Sequence, residues 1–357
     1  MNHNTPLSPR PLSHLSETCR RVLTAAQLRA HGVPTAEANE RCRAGGPWQQ
    51  LLPGVLLLHP GPPTGEERLH AVLLYAARGR LPAPAPGVPA QPTARQPHGP
   101  AHAEAMITGL AALTLHGFAS APPLPSLEVI DVLVPRLRRL RSTGCARIVR
   151  TAGLPVPEPV TGLPVAPVPR ALADAVAHLT DAGTVRRLLT EAVRGGYCEP
   201  AAVVRELTEA RLLGRPHVVD AVDSLLAEGR ALAEDRLYRM VREHGLPDPV
   251  WNVNLRLPGG PHLGGLDAYW PEQAVALELD TRAPRPGDRP DGGPDEDAQW
   301  TEYARKREHL ERLGITVVHI TPKKLRDAMD QQATVVRTAL MAATDRDPAA
   351  YVVVLPR

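Results

Sequence analysis

The sequence predicts a multidomain protein of the α/β and α+β classes, and three observations support this prediction. The chain has 357 residues, which is more than one ordinary hydrophobic core accommodates. A proline-rich stretch at 81–104 interrupts the hydrophobic pattern. The pattern changes again near residue 228, where short apolar runs typical of strands begin to alternate with amphipathic helices. We therefore expect three folded parts, at 19–80, 105–227 and 228–345.

Three segments are predicted to lie outside these folded parts. Residues 1–18 are polar and contain prolines, so we expect a disordered tail there. Residues 81–104 carry seven prolines and no hydrophobic periodicity, which is typical of a semi-rigid linker or an inserted loop. Residues 346–357 are expected to form a C-terminal tail.

Charge and cysteine content narrow the functional classes. The net charge is only +3, so any nucleic-acid surface has to be a local patch. The four cysteines form no CxxC pair, which argues against a zinc site or a disulfide framework and favours a reducing compartment. The N-terminus lacks the apolar stretch of a signal peptide, and no apolar run approaches ~18 residues. We expect a cytoplasmic protein with no membrane partner.

The first folded part has the pattern of a winged helix. Thr24 is a candidate N-cap of a first helix that Gly32 ends, and Thr35 is a candidate N-cap of a second helix. The run WQQLLPGVLLLHP then predicts a small hairpin. In a winged helix the second helix enters the major groove of DNA. A small packing unit or a protein–protein module has the same pattern, and Glu37 and Glu40 offset the arginines of the second helix.

The middle part combines strands, helices and the densest basic segment of the chain. AMITGLAALTLHGF predicts a helix, EVIDVLVP and ARIVRTA predict strands, and residues 169–229 alternate at helical spacing. Six arginines occur within 136–150, which indicates either a phosphate-binding patch or a solvated hairpin whose arginines pair with acids elsewhere. They are Arg136, Arg138, Arg139, Arg141, Arg147 and Arg150.

The third part predicts the element order αβββαβα. An amphipathic helix begins near 231, and strands follow in PVWNVNLRLP, LGGLDAYW and AVALELD. A proline- and acid-rich loop precedes the helix in EYARKREHLERLG. The apolar run ITVVHIT predicts a buried strand with a parallel neighbour. A single closing helix is expected to begin at Pro322 and to run to about 342.

Acids within two of these strands carry a resemblance to a nuclease superfamily. Asp267 lies in the second strand, and Glu278 and Asp280 lie in the third. Together with the element order, they resemble the PD-(D/E)XK nucleases, in particular the DUF559 and very-short-patch-repair endonuclease-like group, over about 228–342. The resemblance implies a restriction-endonuclease-like fold in which Asp267 and Glu278 bind Mg²⁺ as cofactor. It nominates as catalytic residues Glu234, Asp267, Glu278, Asp280 and Lys306.

The same segment also departs from the nuclease pattern. Asp280 stands where that pattern has a lysine, although Lys306 on the next helix is a candidate replacement. The acids of the 286–297 loop would repel a DNA phosphate. Three interpretations therefore stay open: an active Mg²⁺ site, a degenerate domain that keeps the fold, and acids that merely face water.

The first two parts resemble the AbiEi-type antitoxins of type IV toxin–antitoxin systems, over about 20–215. The resemblance rests on LTAAQLRAHGV, WQQLLPGVLLLHP, MITGLAALTLHGF and DVLVPRLRRLRSTGCARIVRTAGLP. It implies that the winged helix binds double-stranded DNA and that the following domain neutralises a nucleotidyltransferase toxin. It nominates for DNA binding Thr35, Asn39, Arg41, Arg43, Gln49, Gln50, Arg136, Arg138, Arg139 and Arg141.

The favoured interpretation is a DNA-binding regulator that resembles AbiEi antitoxins and carries a degenerate nuclease-like domain. One alternative is a Mg²⁺-dependent DNA endonuclease targeted by the winged helix. A second alternative is a protein–protein module that neutralises a toxin without touching DNA. We interpret His116 and His319 as packed side chains rather than as ligands.

Overall fold

The computed structural model describes residues 21–77, 105–280, 304–343 and 352–356. The expected N-terminal tail at 1–18, the linker at 81–104 and the acidic loop at 286–297 lie outside these residues. The chain divides into two compact units, Met1–Ala192 with Glu206–Ala221 and Val193–Arg205 with Val222–Arg357. Within the described residues, helices and three sheets confirm the mixed α/β class and more than one folded unit.

The first sheet lies at the start of the first unit. Strand β1 is Val22–Thr24, helix α1 is Ala25–Ala30, helix α2 is Thr35–Arg41, and β2 (Gln49–Leu52) and β3 (Val55–Leu57) form a hairpin. The strands pair antiparallel in the order β1-β3-β2. Thr24 and Gln27 form a capping box that starts α1, as the N-cap prediction required. Leu23, Leu28, Ala38 and Leu56 form the small core beneath the helices.

A five-stranded sheet follows the helix α3 (Gly65–Ala76). Its strands are β4 (Met106–Thr108), β5 (Ile130–Pro135), β6 (Ala146–Thr151), β7 (Glu158–Val160) and β8 (Leu163–Val165), in the order β6-β5-β4-β8-β7. Helix α4 (Gly109–Leu115) separates β4 from β5. Strands β5 and β6 are parallel neighbours, so the two predicted strands do not form a hairpin.

One helix was predicted for 105–118, and the prediction missed strand β4. Gly109 marks the change from strand to helix because its φ is +62°, a value that favours glycine. A Cβ at this position would lie 2.3 Å from Oδ2 of Asp131, so the backbone approaches this carboxylate closely. The three-residue strand was too short for its own periodicity to show in the sequence.

Helices occupy the stretch that was predicted to be helical. They are α5 (Val168–Val176), α6 (Ala182–Arg194), α7 (Pro200–Glu209) and α8 (Pro216–Glu243). The expected domain boundary at 227/228 falls inside α8, which is continuous over 28 residues. The amphipathic pattern that begins near 231 is therefore the second half of a longer helix.

The second unit is built on another five-stranded sheet. Its strands are β9 (Val250–Arg256), β10 (His262–Trp270), β11 (Val275–Leu279), β12 (Thr316–Ile320) and β13 (Val353–Pro356), in the order β12-β11-β10-β9-β13. Helix α9 (304–312) precedes β12, and α10 (Pro322–Asp327) and α11 (Met329–Ala343) follow it. Strand β12 is parallel to β11, as predicted for ITVVHIT, and the other pairs are antiparallel.

Two details of this unit differ from the sequence prediction. The closing helix is divided at Ala328, whose φ of −151° and ψ of 49° are not helical. Residues 353–356, which were predicted to belong to a tail, form β13 and pair with β9. The Val-rich run of β13 favours a strand by its residue types, and it pairs with β9 at the edge of the sheet.

The two faces of this sheet carry separate hydrophobic cores. The α8 core includes Ala233 and Leu237 of α8 together with Ala268 of β10. The α9 core includes Leu310 of α9 together with Leu266 of β10. Residues two apart on a regular strand share a face of the sheet. Leu266 and Ala268 face different cores, so the alternation of β10 is interrupted between them, at Asp267.

The neighbouring strand changes its sidedness at the same place. Val253 belongs to the α9 core, whereas Trp251 packs against the α8 core. Asn252 between them has a φ of +50°, which interrupts the regular strand geometry. The register of β9 and β10 places Asn252 opposite Asp267. The sheet is therefore twisted locally where Asp267 lies.

Candidate functional site

Asp267 is a buried carboxylate held by two donors. Its side chain lies near the middle of the second unit's sheet, and the residue is 7% exposed. Oδ2 accepts a hydrogen bond of 2.7 Å from the backbone N–H of Leu279, and Oδ1 accepts one of 3.0 Å from Nη2 of Arg230. Because buried carboxylates are stable only when they are paired, the backbone N–H and the guanidinium together hold this side chain in place.

Glu278 is the second buried carboxylate, and it is 8% exposed. Lys306 of α9 donates a short hydrogen bond to Oε1 of Glu278 and a second one, of 2.7 Å, to the carbonyl oxygen of Gly265. On its other side, Nδ1 of His319 lies 3.5 Å from Oε2. Glu278 and His319 are direct partners in the parallel register of β11 and β12.

Asp267 and Glu278 lie on adjacent antiparallel strands. The register of β10 and β11 runs to the pair of Ala268 with Leu277, and the two acids are the next residues along these strands. Arg230 of α8 pairs with Asp267, and Lys306 of α9 pairs with Glu278. Each buried carboxylate therefore has its own compensating cation.

Gly264 makes room for the lysine of the site. Its φ is +111°, and a Cβ at this position would lie 2.6 Å from Cε of Lys306. A residue with a side chain would therefore be strained here and would also displace Lys306. The glycine pair GG at 264–265 thus serves the site twice, with space from Gly264 and a carbonyl acceptor from Gly265.

The predicted catalytic residues fall into two groups in the structure. Lys306 contacts Glu278, and Asp267 lies on the adjacent strand and contacts Arg230. Glu234 lies on α8 and reaches the group through Arg230, whose Nε donates a hydrogen bond of 2.8 Å to Glu234 Oε1. Asp280 directly follows β11, and its backbone N–H donates to Ile320 at 2.9 Å, which continues the pairing with β12.

Two residues of this site were not predicted from the sequence. His319 was interpreted as a packed side chain, yet its side chain is partly exposed and faces Glu278. The parallel pairing predicted for ITVVHIT could have identified His319. Aligning this apolar run with AVALELD sets His319 opposite Glu278. Arg230 gave no signal, since only its contacts across 37 residues distinguish it from other helical arginines.

The donor set suits a hard divalent cation. Carboxylate oxygens are the ligands that Mg²⁺ prefers, and one or two carboxylates together with substrate phosphate are typical of its sites. Asp267 and Glu278 provide two such carboxylates on adjacent strands. Among the residues that the structure describes, no group of three or more His, Cys, Asp or Glu side chains is placed to hold a metal ion.

Two arginines nominated for DNA binding form ion pairs with acids of the predicted recognition helix. Arg41 pairs with Glu37 and lies 4.6 Å from the ring centroid of Trp48. Arg43 pairs with Glu40 at 2.8 Å. Thr35 and Asn39 are exposed on α2, Arg43 is exposed just after it, and Gln50 is exposed on β2. Gln49, in contrast, donates to the carbonyl oxygens of His59 and Gly61 and stabilises the hairpin.

The arginine-rich segment divides into structural and exposed side chains. Arg138 donates to the carbonyl oxygen of Ala76 at 2.7 Å, and Arg150 donates to the carbonyl oxygens of Arg138 and Leu140. Arg147 forms a bidentate ion pair with buried Asp131. Burial raises the pKa of Asp131, and the hydrogen bond from Arg147 opposes that increase.

Three arginines remain on the surface of this segment. Arg136, Arg139 and Arg141 are exposed, and within the described part of the chain their side chains form no ion pair. Leu137 between them is 91% exposed. His116, which was predicted to be packed, is largely buried, and its Nε2 lies 2.9 Å from the carbonyl oxygen of Ala166.

The chain matches no protein-family model and no curated protein. The resemblances to PD-(D/E)XK nucleases and to AbiEi antitoxins therefore stay predictions. Among the described residues, no helix has both the length and the apolar character needed to cross a membrane.

Proposed function

We propose that the second unit is a Mg²⁺-dependent phosphodiester hydrolase that acts on DNA. The observation that carries the proposal is the contact of Lys306 with Glu278, on the strand adjacent to that of Asp267. Two carboxylates and one lysine are the functional groups of a PD-(D/E)XK site. They come from β10, β11 and α9, in an element order that matches the αβββαβα prediction through α10 and α11.

Lys306 is a candidate replacement for the lysine that the nuclease pattern has at the position of Asp280. Asp280 occupies the usual lysine position on the third strand, which favoured a degenerate domain on sequence grounds. An ammonium group that approaches the same carboxylate from α9 supplies the missing charge. A lysine acts here as a point charge, so the position of its Nζ matters more than which helix or strand carries the residue.

Each side chain has a defined task in this proposal. Asp267 and Glu278 would hold Mg²⁺, which polarises a phosphoryl oxygen and lowers the pKa of a bound water. The N–H of Leu279 fixes the orientation of Asp267 by holding Oδ2. Lys306 stabilises negative charge that develops on the phosphate, and the carbonyl of Gly265 orients its ammonium group.

A second function, DNA-binding regulation of the AbiEi antitoxin type, is favoured by the fold of residues 22–57. Two helices followed by a hairpin, with strand β1 completing a three-stranded sheet, form the order of a winged helix. Asn39 and Thr35 are exposed on α2, where a recognition helix presents its base-reading side chains. We propose double-stranded DNA as the partner; neutralisation of a nucleotidyltransferase toxin without DNA binding is the competing proposal.

Titration with Mg²⁺ and Mn²⁺ by calorimetry tests the hydrolase proposal at its ligands. Wild type is expected to bind one ion per chain, and the double variant Asp267→Asn/Glu278→Gln is expected to lose this binding, because the neutral side chains are weak ligands. Arg239→Gln on α8, which breaks the exposed ion pair with Asp235, is the control. Binding that survives in the double variant would place the ion elsewhere and overturn the proposal.

A further inference from the structure

Arg230 is the group in the second unit whose role the proposed hydrolysis leaves unexplained. It lies on α8, its side chain is 41% exposed, and its guanidinium spans two carboxylates. Nη2 donates to Asp267 Oδ1, and Nε donates to Glu234 Oε1. Since the backbone N–H of Leu279 holds the other oxygen of Asp267, Arg230 occupies the oxygen that a cation would need.

We propose that Arg230 exchanges partners: it neutralises Asp267 in the metal-free protein and binds a DNA phosphate once a cation takes Asp267. This inference rests on the proposed hydrolase function. The partly exposed side chain can reach solvent, whereas the carboxylate itself is buried. A guanidinium pairs with a carboxylate or with a phosphate through the same N–H donors.

Glu234 is the part of the arrangement that allows the exchange. It is four residues from Arg230 on the same helical face and is itself partly exposed. Because Glu234 keeps hold of Nε, the guanidinium stays near the site when Nη2 leaves Asp267. This assigns to Glu234 a positioning role for Arg230 in place of direct metal binding.

The exchange predicts two effects of opposite sign in Arg230→Gln. Loss of the competing cation is expected to tighten Mn²⁺ binding on the order of tenfold, since a positive charge a few ångströms from the ion is removed. Loss of the phosphate contact is expected to weaken binding of a short DNA duplex several-fold in Ca²⁺, which supports binding through oxygen ligands. Arg230→Lys keeps the charge and should lie between wild type and Arg230→Gln in both measurements.

Calorimetry with Mn²⁺ alone and duplex titration in Ca²⁺, both on the full chain, test this exchange. Arg239→Gln is the matched control, because it removes an arginine of α8 with the same i,i+4 pairing and no contact to Asp267. Tighter Mn²⁺ binding with weaker duplex binding in Arg230→Gln alone supports the exchange. Mn²⁺ affinity equal to wild type, or duplex affinity equal to wild type, overturns it.

The two proposals fail in different ways. If wild type binds Mn²⁺ and Arg230→Gln binds it equally well, the hydrolase proposal stands and the exchange is wrong. If neither protein binds Mn²⁺, both proposals are wrong. If only Arg230→Gln binds Mn²⁺, the arginine blocks the ion in wild type, and the exchange is wrong.

Discussion

Gly264 is the residue on which the geometry of Lys306 depends most directly. Its φ of +111° lies in a region that side chains other than glycine avoid, and the space where its Cβ would lie is filled by Lys306. Neighbouring Gly259 has a φ of +63° with open space around it. The two glycines therefore separate the cost of the backbone conformation from the cost of displacing the lysine.

Gly264→Ala is expected to lower the free energy of unfolding by about 3 kcal/mol, since backbone strain adds to the contact with Lys306. Gly259→Ala is expected to lower it by about 1 kcal/mol, because only the backbone conformation is disfavoured. Urea unfolding of both variants and wild type provides the comparison. Equal losses in the two variants would show that Lys306 does not lie against Gly264.

Residue by residue, the sequence predicted the acids of the site better than their partners. Asp267 and Glu278 were recognisable because acids are unusual in strands, and the hairpin between them places them on adjacent strands. Lys306 was named as a candidate from its place on the next helix. Arg230 and the close approach at Gly264 depend on tertiary contacts that leave no local pattern.

At the scale of elements, the segment from Arg136 to Arg141 links β5 to β6 with exposed positive charge. Because β5 and β6 are parallel, this connection has to return from the end of β5 to the start of β6 rather than turn tightly. Arg138 is held by the carbonyl oxygen of Ala76, and the other three arginines of the segment point to solvent. If DNA is the partner, these three are the phosphate contacts of the middle part.

Arg136→Gln/Arg139→Gln is expected to weaken DNA binding and to reduce the slope of log K against log salt by ~0.9 for each lost phosphate contact. Arg186→Gln/Arg187→Gln on α6 changes the net charge equally at another exposed place and serves as the control. Salt titrations of duplex binding measure both slopes. The segment does not contact phosphate if the two double variants have the same slope.

The longer helices and strands were predicted well, and so was the short hairpin of β2 and β3, whereas the other short strands were missed. β9 to β12 and α8 carry apolar positions in sufficient number for their periodicity to show. β4, β7 and β8 have three residues each, which is too few for an alternating pattern to show, and each pairs with a neighbouring strand.

For the whole molecule, the division into units differs from the three parts that the sequence suggested. The helical stretch from α6 to α8 contributes to both units, because α8 runs without interruption from Pro216 to Glu243. Length and composition predicted more than one unit correctly. They could not place the boundary, since a continuous amphipathic helix can pack on two cores along its length.

Cleavage of supercoiled plasmid by the full chain is the measurement that tests the central claim most directly. Wild type in Mg²⁺ or Mn²⁺ is predicted to nick or linearise the plasmid, with Arg239→Gln equally active. Asp267→Asn, Glu278→Gln and Lys306→Met are each predicted to be slower on the order of 100-fold or more, because each removes a charged group from the site. The account would be contradicted if Asp267→Asn cleaved the plasmid at the wild-type rate. It would also be contradicted if wild type bound a DNA duplex but did not cleave the plasmid.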